Sequence, residues 1–149
     1  CDPRGHGALR ADNETSRMNP DPNTCHHLGV AHVLAIHKVA IKSFGGSEGL
    51  RDPSLLESEV AAPQASFGGV STFADTVEVA AAYLYYLGSN DPFVGGNKRV
   101  ALGACLVFLK INGYKTAPDS EFWENLTLAV AASLLSRDEI AATLRKLIE

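Results

Sequence analysis

Apolar residues recur along most of this chain at intervals of three and four, the spacing of a helix face rather than of a strand. Val30, Val33, Leu34, His37, Ile41 and Phe44 share one such face, and Gly45-Gly46 then supplies a stop. Asp52-Pro53 opens a shorter helix to about Ala62, with Asp52 as N-cap and Pro53 at the first helical position; Pro63 ends it. Gln64 to Ser71, with Gly68-Gly69 inside it, reads as a flexible connection. Thr72 is the expected cap of a third helix, with Asp75 three residues on and a stripe of Phe73, Val77, Ala80, Ala81, Leu84 and Leu87. A fourth helix, about Asn97 to Ile111, is apolar on nearly every side after Arg99, which predicts a helix enclosed by others; Ala101, Gly103 and Ala104 permit close neighbours. Asn112-Gly113 ends it, a helix capped by Asp119 or Ser120 runs to about Leu134, and Ser136-Arg137-Asp138-Glu139 is a capping box for the last, whose Ile140, Leu144, Leu147 and Ile148 point inward. The pattern predicts an all-α domain of about six helices around a central apolar helix, spanning 27–149, behind a flexible N-terminal extension, 1–26, that lacks apolar periodicity.

Composition narrows the picture. A length of 149 residues fits one domain with a single core, and a 46% hydrophobic, 20% charged make-up is that of a globular protein. No apolar run is long enough to span a bilayer, and no signal-peptide h-region is visible, so no membrane partner is expected. Three cysteines at irregular spacing, Cys1, Cys25 and Cys105, point to a reducing cytoplasm rather than a disulfide framework or a zinc knuckle. A net charge of −4 offers no bulk attraction to nucleic acid, so affinity for phosphate has to be local.

The local candidate lies just before the fourth helix, in Asp91-Pro92-Phe93-Val94-Gly95-Gly96-Asn97-Lys98-Arg99. Small residues at a helix start leave backbone N–H groups free where the helix dipole favours anions. Lys98 and Arg99 add two cations, Arg99 with a bidentate fork. Gly96 allows close approach to the backbone, and the Asn97 amide can either bind a phosphate oxygen or fix the loop. On the loop alone a tight helix start with solvated cations is the simpler reading, because the glycine spacing is not that of a Walker A loop. His37 reads as a hydrogen-bonded core or cleft-edge histidine, His26-His27 as a solvated pair, and Cys105 as a small core hydrophobe.

The wider pattern changes that balance. Phe93, Gly96, Asn97, Lys98 and Arg99, followed by an Ala-containing helix, resemble the motif of the Fic/Doc family in its Doc ("death on curing") branch, His-x-Phe-x-Asp/Glu-Gly-Asn-Lys-Arg. Gly45 to Ser58, Pro63-Gln64 and Leu109 to Tyr114 extend the resemblance over about residues 29–148. It implies a helical Fic/Doc fold, a phosphate or nucleotide site at Gly95, Gly96, Asn97, Lys98 and Arg99, ATP with Mg²⁺ as the co-substrate, a cognate antitoxin of the Phd type and elongation factor Tu as target. Arg51 falls in the segment that resembles the family's target-positioning flap, where it is a candidate partner for a phosphate or for Asp91.

Two positions depart from the family pattern: its His is Asp91 here, and its acidic residue is Gly95. A carboxylate is a weaker base than an imidazole by about two pKa units and brings negative charge to a phosphate site. General-base catalysis is worth about 10²- to 10⁴-fold, so losing the histidine alone slows transfer sharply. Gly95 removes the metal ligand, and no protein metal ligands other than Asp91 are expected. The favoured reading is a Doc-like toxin-type domain, related to phosphotransferases and AMP transferases, that keeps the phosphate cradle and is catalytically impaired. Two alternatives stand beside it: an active phosphotransferase with Asp91 as catalytic base or metal ligand, and a repurposed protein-binding module.

Overall fold

The computed structural model describes residues 18–117 and 121–148, so the expected caps at Asp119 and Ser120, and residues 1–17, lie outside the described residues. Six α-helices are present among the described residues: α1 (Val30–Phe44), α2 (Pro53–Ala61), α3 (Thr76–Ser89), α4 (Asn97–Ile111), α5 (Glu121–Ala131) and α6 (Arg137–Leu147). The all-α expectation is met, with one addition. The connection read as flexible holds a 3₁₀ turn (Ala62–Gln64) and a small hairpin, β1 (Ser66–Phe67) and β2 (Val70–Ser71), paired antiparallel across Gly68-Gly69. Both glycines have positive φ, which is what a two-residue hairpin turn demands.

The caps follow side-chain chemistry closely. Asp52 accepts from the N–H of Leu55 at 3.0 Å and Ser136 from that of Glu139 at 3.1 Å, the latter in a capping box. The third helix starts later than its sequence pattern predicted: Asp75, not Thr72, is the cap, accepting from Glu78 N–H at 2.9 Å. Carboxylate outcompetes hydroxyl as an acceptor at a positive helix end.

The most enclosed helix is α3 rather than α4. Val79 to Leu84 are all fully buried, and six consecutive residues exceed one turn, so neighbours cover every side. Those neighbours are α2, α4, α5 and α6, and α1 lies across α4 and α2. The run Ala80-Ala81-Ala82 is what lets them approach. α4 buries Val100, Ala101, Ala104, Cys105, Phe108 and Leu109 but leaves Val107 and Ile111 exposed. Close approach at Gly103 is as expected: a Cβ there would sit 2.9 Å from Ile36 Cγ2 on α1.

The described part of the expected N-terminal extension, 18–26, is tied to the domain. Asn112, buried at the end of α4, accepts from His26 N–H at 2.8 Å and donates to His26 C=O at 3.0 Å, and Thr76 N–H donates to Pro20 C=O at 3.1 Å. His26 and His27 are not both solvated. His27 is half-buried, stacked on Phe108 at 5.9 Å between centroids, with Nδ1 3.1 Å from the Tyr83 hydroxyl, and burial lowers its pKa. No helix among the described residues is long and apolar enough to cross a membrane.

Candidate phosphate site at the start of α4

The loop ahead of α4 is held from three directions. Phe93, nearly fully buried, anchors it in the core. The Asn97 side chain closes the turn on itself, accepting from Phe93 N–H and donating to Phe93 C=O, both at 3.0 Å. Of the two roles open to that amide, the structure shows loop fixing. From outside, residues 49–52 run antiparallel to 92–94: Val94 N–H donates to Gly49 C=O at 3.0 Å, and the N–H groups of Arg51 and Asp52 donate to Pro92 C=O at 2.8 and 3.0 Å. The Arg51 guanidinium donates to the main-chain carbonyl of Asp91 rather than to its carboxylate.

This scaffold presents donors. Gly96, with φ +77°, turns the chain into α4 without a side-chain cap, in contrast to α2, α3 and α6. The N–H groups of Gly95, Gly96, Asn97, Lys98 and Arg99 find no protein acceptor among the described residues. These residues line an open cleft of about 710 Å³, within the range of ligand pockets, together with Asp91 and an apolar side formed by Leu128 and Ala131 of α5 and Ala132 just after it. Lys98 is exposed without a protein partner among the described residues, whereas the Arg99 guanidinium rests 3.9 Å above the Phe44 ring, a cation–π contact with the end of α1.

A family model, Fic/DOC family, matches residues 27–109, from just before α1 nearly to the end of α4, and therefore contains the whole loop and both strands of chain that hold it. The chain belongs to the Fic/DOC family. It is 33% identical over 121 residues to "Protein kinase doc" of Escherichia phage P1, covering 81% of this chain and 94% of that relative. It is 41% identical over 104 residues to "Toxin Doc" of Mycolicibacterium smegmatis (strain ATCC 700084 / mc(2)155), covering 68% of this chain and 80% of that relative.

Against the Fic/DOC motif the two departures have distinct surroundings. Asp91 is exposed at the cleft edge, where the family's histidine stands. At Gly95 the backbone of Ser47 approaches closely: a Cβ built there would lie 3.2 Å from Ser47 N and 3.4 Å from Ser47 O, so a side chain at this position requires Ser47 to give by a few tenths of an ångström. No three His, Cys, Asp or Glu come together to hold a metal among the described residues. Among the described residues Asp91 is the one carboxylate that lines this cleft.

Two features beside the site escaped sequence reasoning, the buried Glu59 and the apolar side of the cleft. Glu59 on α2 is 2% exposed, and neither carboxylate oxygen has a hydrogen-bond partner among the described residues. Burial, with the negative charges of Asp91 and Asp52 adding and the Asn90 amide opposing, raises its pKa to about 7. The signal was available: Leu56, Glu59, Val60 and Pro63 share one helical stripe, which places an acid on the buried face. The α5 wall gave no signal, because Leu128, Ala131 and Ala132 meet the motif only through tertiary packing.

Proposed function

We propose that this Fic/DOC chain is a Doc-like toxin-type domain that binds the phosphates of a nucleotide, ATP by family analogy, at the start of α4, and that it transfers phosphoryl or adenylyl groups poorly. The observation that carries this reading is the run of five N–H groups, from Gly95 to Arg99, that have no protein acceptor among the described residues and belong to residues lining one cleft together with the Lys98 and Arg99 side chains. Anionic oxygens satisfy such donors well, and the two cations offset the charge of a triphosphate. An organic moiety attached to those phosphates would find the apolar α5 wall opposite.

Impairment follows from Asp91 and Gly95. A target hydroxyl must lose a proton as it attacks phosphorus, and an aspartate accepts it less readily than a histidine would. Its charge also opposes the approach of the phosphates. With Gly95 closed against Ser47, the protein holds Mg²⁺ on the phosphates by Asp91 at most. The relative named "Protein kinase doc" supports phosphoryl transfer to a protein as the reaction to test, and the one named "Toxin Doc" supports the toxin-type reading. On this reading elongation factor Tu is the proposed target, a Phd-type antitoxin the proposed inhibitor and the cytoplasm the proposed compartment, each taken from the family resemblance.

The test is transfer of label from γ-labelled and α-labelled ATP, with Mg²⁺, to elongation factor Tu. Wild-type protein is expected to give label near background, and Asp91→His to raise transfer from the γ position by about 10²-fold. Robust wild-type transfer that disappears in Asp91→Ala would establish the active-enzyme reading instead. Silence of both proteins, with no nucleotide bound, would favour a protein-binding module.

A further inference from the structure

His37 is the one side chain of α1 that reaches the phosphate loop by hydrogen bond. It is 6% exposed, its ring stacks on Phe93 at 3.9 Å between centroids and 8° between planes, and its Nε2 lies 2.8 Å from the carbonyl oxygen of Gly95. A carbonyl only accepts, so Nε2 carries the proton in this contact. Gly96 closes over the same ring: a Cβ there would come within 3.6 Å of His37 Cδ2 and Nε2 and 3.1 Å of Ile41 Cδ1.

We infer that His37 is a positioning residue that locks the Gly95–Gly96 peptide in its anion-receptive orientation; this rests on the phosphate-site reading above for its functional meaning. In a trans peptide the C=O and the following N–H point in opposite directions. Holding Gly95 C=O inward on His37 therefore turns Gly96 N–H outward, away from the core and toward the cleft that Gly95 and Gly96 line. A peptide between two glycines has no Cβ on either side to resist rotation. Released from His37, it can turn over and present its carbonyl oxygen to an incoming phosphate, exchanging an attraction for a repulsion. Asn97 does not prevent this, because its amide bonds Phe93 and leaves the Gly95–Gly96 peptide untouched. Stack and donor are separate contributions: Phe93 fixes the imidazole plane, and Nε2 fixes the peptide.

Two variants separate them. His37→Phe keeps the stack and loses the donor; His37→Gln loses the stack and retains an Nε2–H donor within reach of Gly95. Amide ¹⁵N relaxation dispersion on the free full chain reads peptide turnover at Gly96, ATP titration monitored on the same resonances reads affinity, and thermal melts record stability. Wild type and His37→Gln are expected to show a quiet Gly96 amide and similar affinity. His37→Phe is expected to show exchange broadening confined to 95–97 and about 5- to 10-fold weaker ATP binding at unchanged melting temperature. A His37→Phe protein whose Gly96 amide is as quiet as wild type, or one that Gln fails to rescue, would overturn the inference. Absence of ATP binding by wild type would overturn the phosphate-site reading, while the free-state dispersion would still decide whether His37 holds the peptide.

Discussion

Gly96 carries two constraints at once, a left-handed φ of +77° and a ceiling formed by Ile41 Cδ1 3.1 Å from where a Cβ would stand. Gly96→Ala is expected to lower stability by about 1–3 kcal/mol, measured by denaturant unfolding, and to weaken nucleotide binding further by displacing the loop. Glu59 makes a second prediction at this scale. Its carboxyl takes up a proton more readily folded than unfolded, so its ionisation opposes folding. That contribution leaves the protein most stable below the ordinary value of 4.5 and erodes stability as pH rises from there through about 7. Glu59→Gln is expected to raise stability at pH 8 by about 1–2 kcal/mol and to flatten the decline between pH 5 and 8 in thermal melts. The motif residues were legible because they stand together in sequence. The part Asn97 plays in shaping the loop was not, since nothing in the sequence shows that its amide bonds both the N–H and the C=O of Phe93.

Helices were legible from periodicity, and their ends from caps, wherever one acceptor stood alone. Ser136 and Asp52 had no rival, but Thr72 and Asp75 competed, and the charged acceptor won. Asp75 also pairs with Arg145 of α6 at 3.0 Å, so it joins the cap of α3 to the last helix. Asp75→Ala is expected to cost about 1–2 kcal/mol by denaturant unfolding, mostly through the cap, since the ion pair is partly exposed. The hairpin was missed because strands of two residues show no period to read. Enclosure was assigned to α4 from its apolar content, yet α3 fills the centre, because alanines rather than large residues let four helices close around it.

For the whole molecule, the cleft exists only where the end of α3, the start of α4 and the end of α5 converge, with α1 and residues 47–52 bracing the loop from behind. On the proposed reading, that convergence sets the order in which substitutions at Asp91 and Gly95 raise activity. Asp91 is exposed, so a histidine fits there without rearrangement, whereas an acid at Gly95 must first displace Ser47 by a few tenths of an ångström. Asp91→His is therefore expected to restore more label transfer than Gly95→Asp, and the double variant to exceed both. The central claim, a phosphate cradle kept while the base is absent, is tested most directly by calorimetric titration of ATP into the wild-type chain and the Lys98→Ala/Arg99→Ala variant. Saturable wild-type binding that falls about tenfold or more in the variant is the expected result; no heat of binding at millimolar ATP, or equal binding by the two proteins, would contradict it.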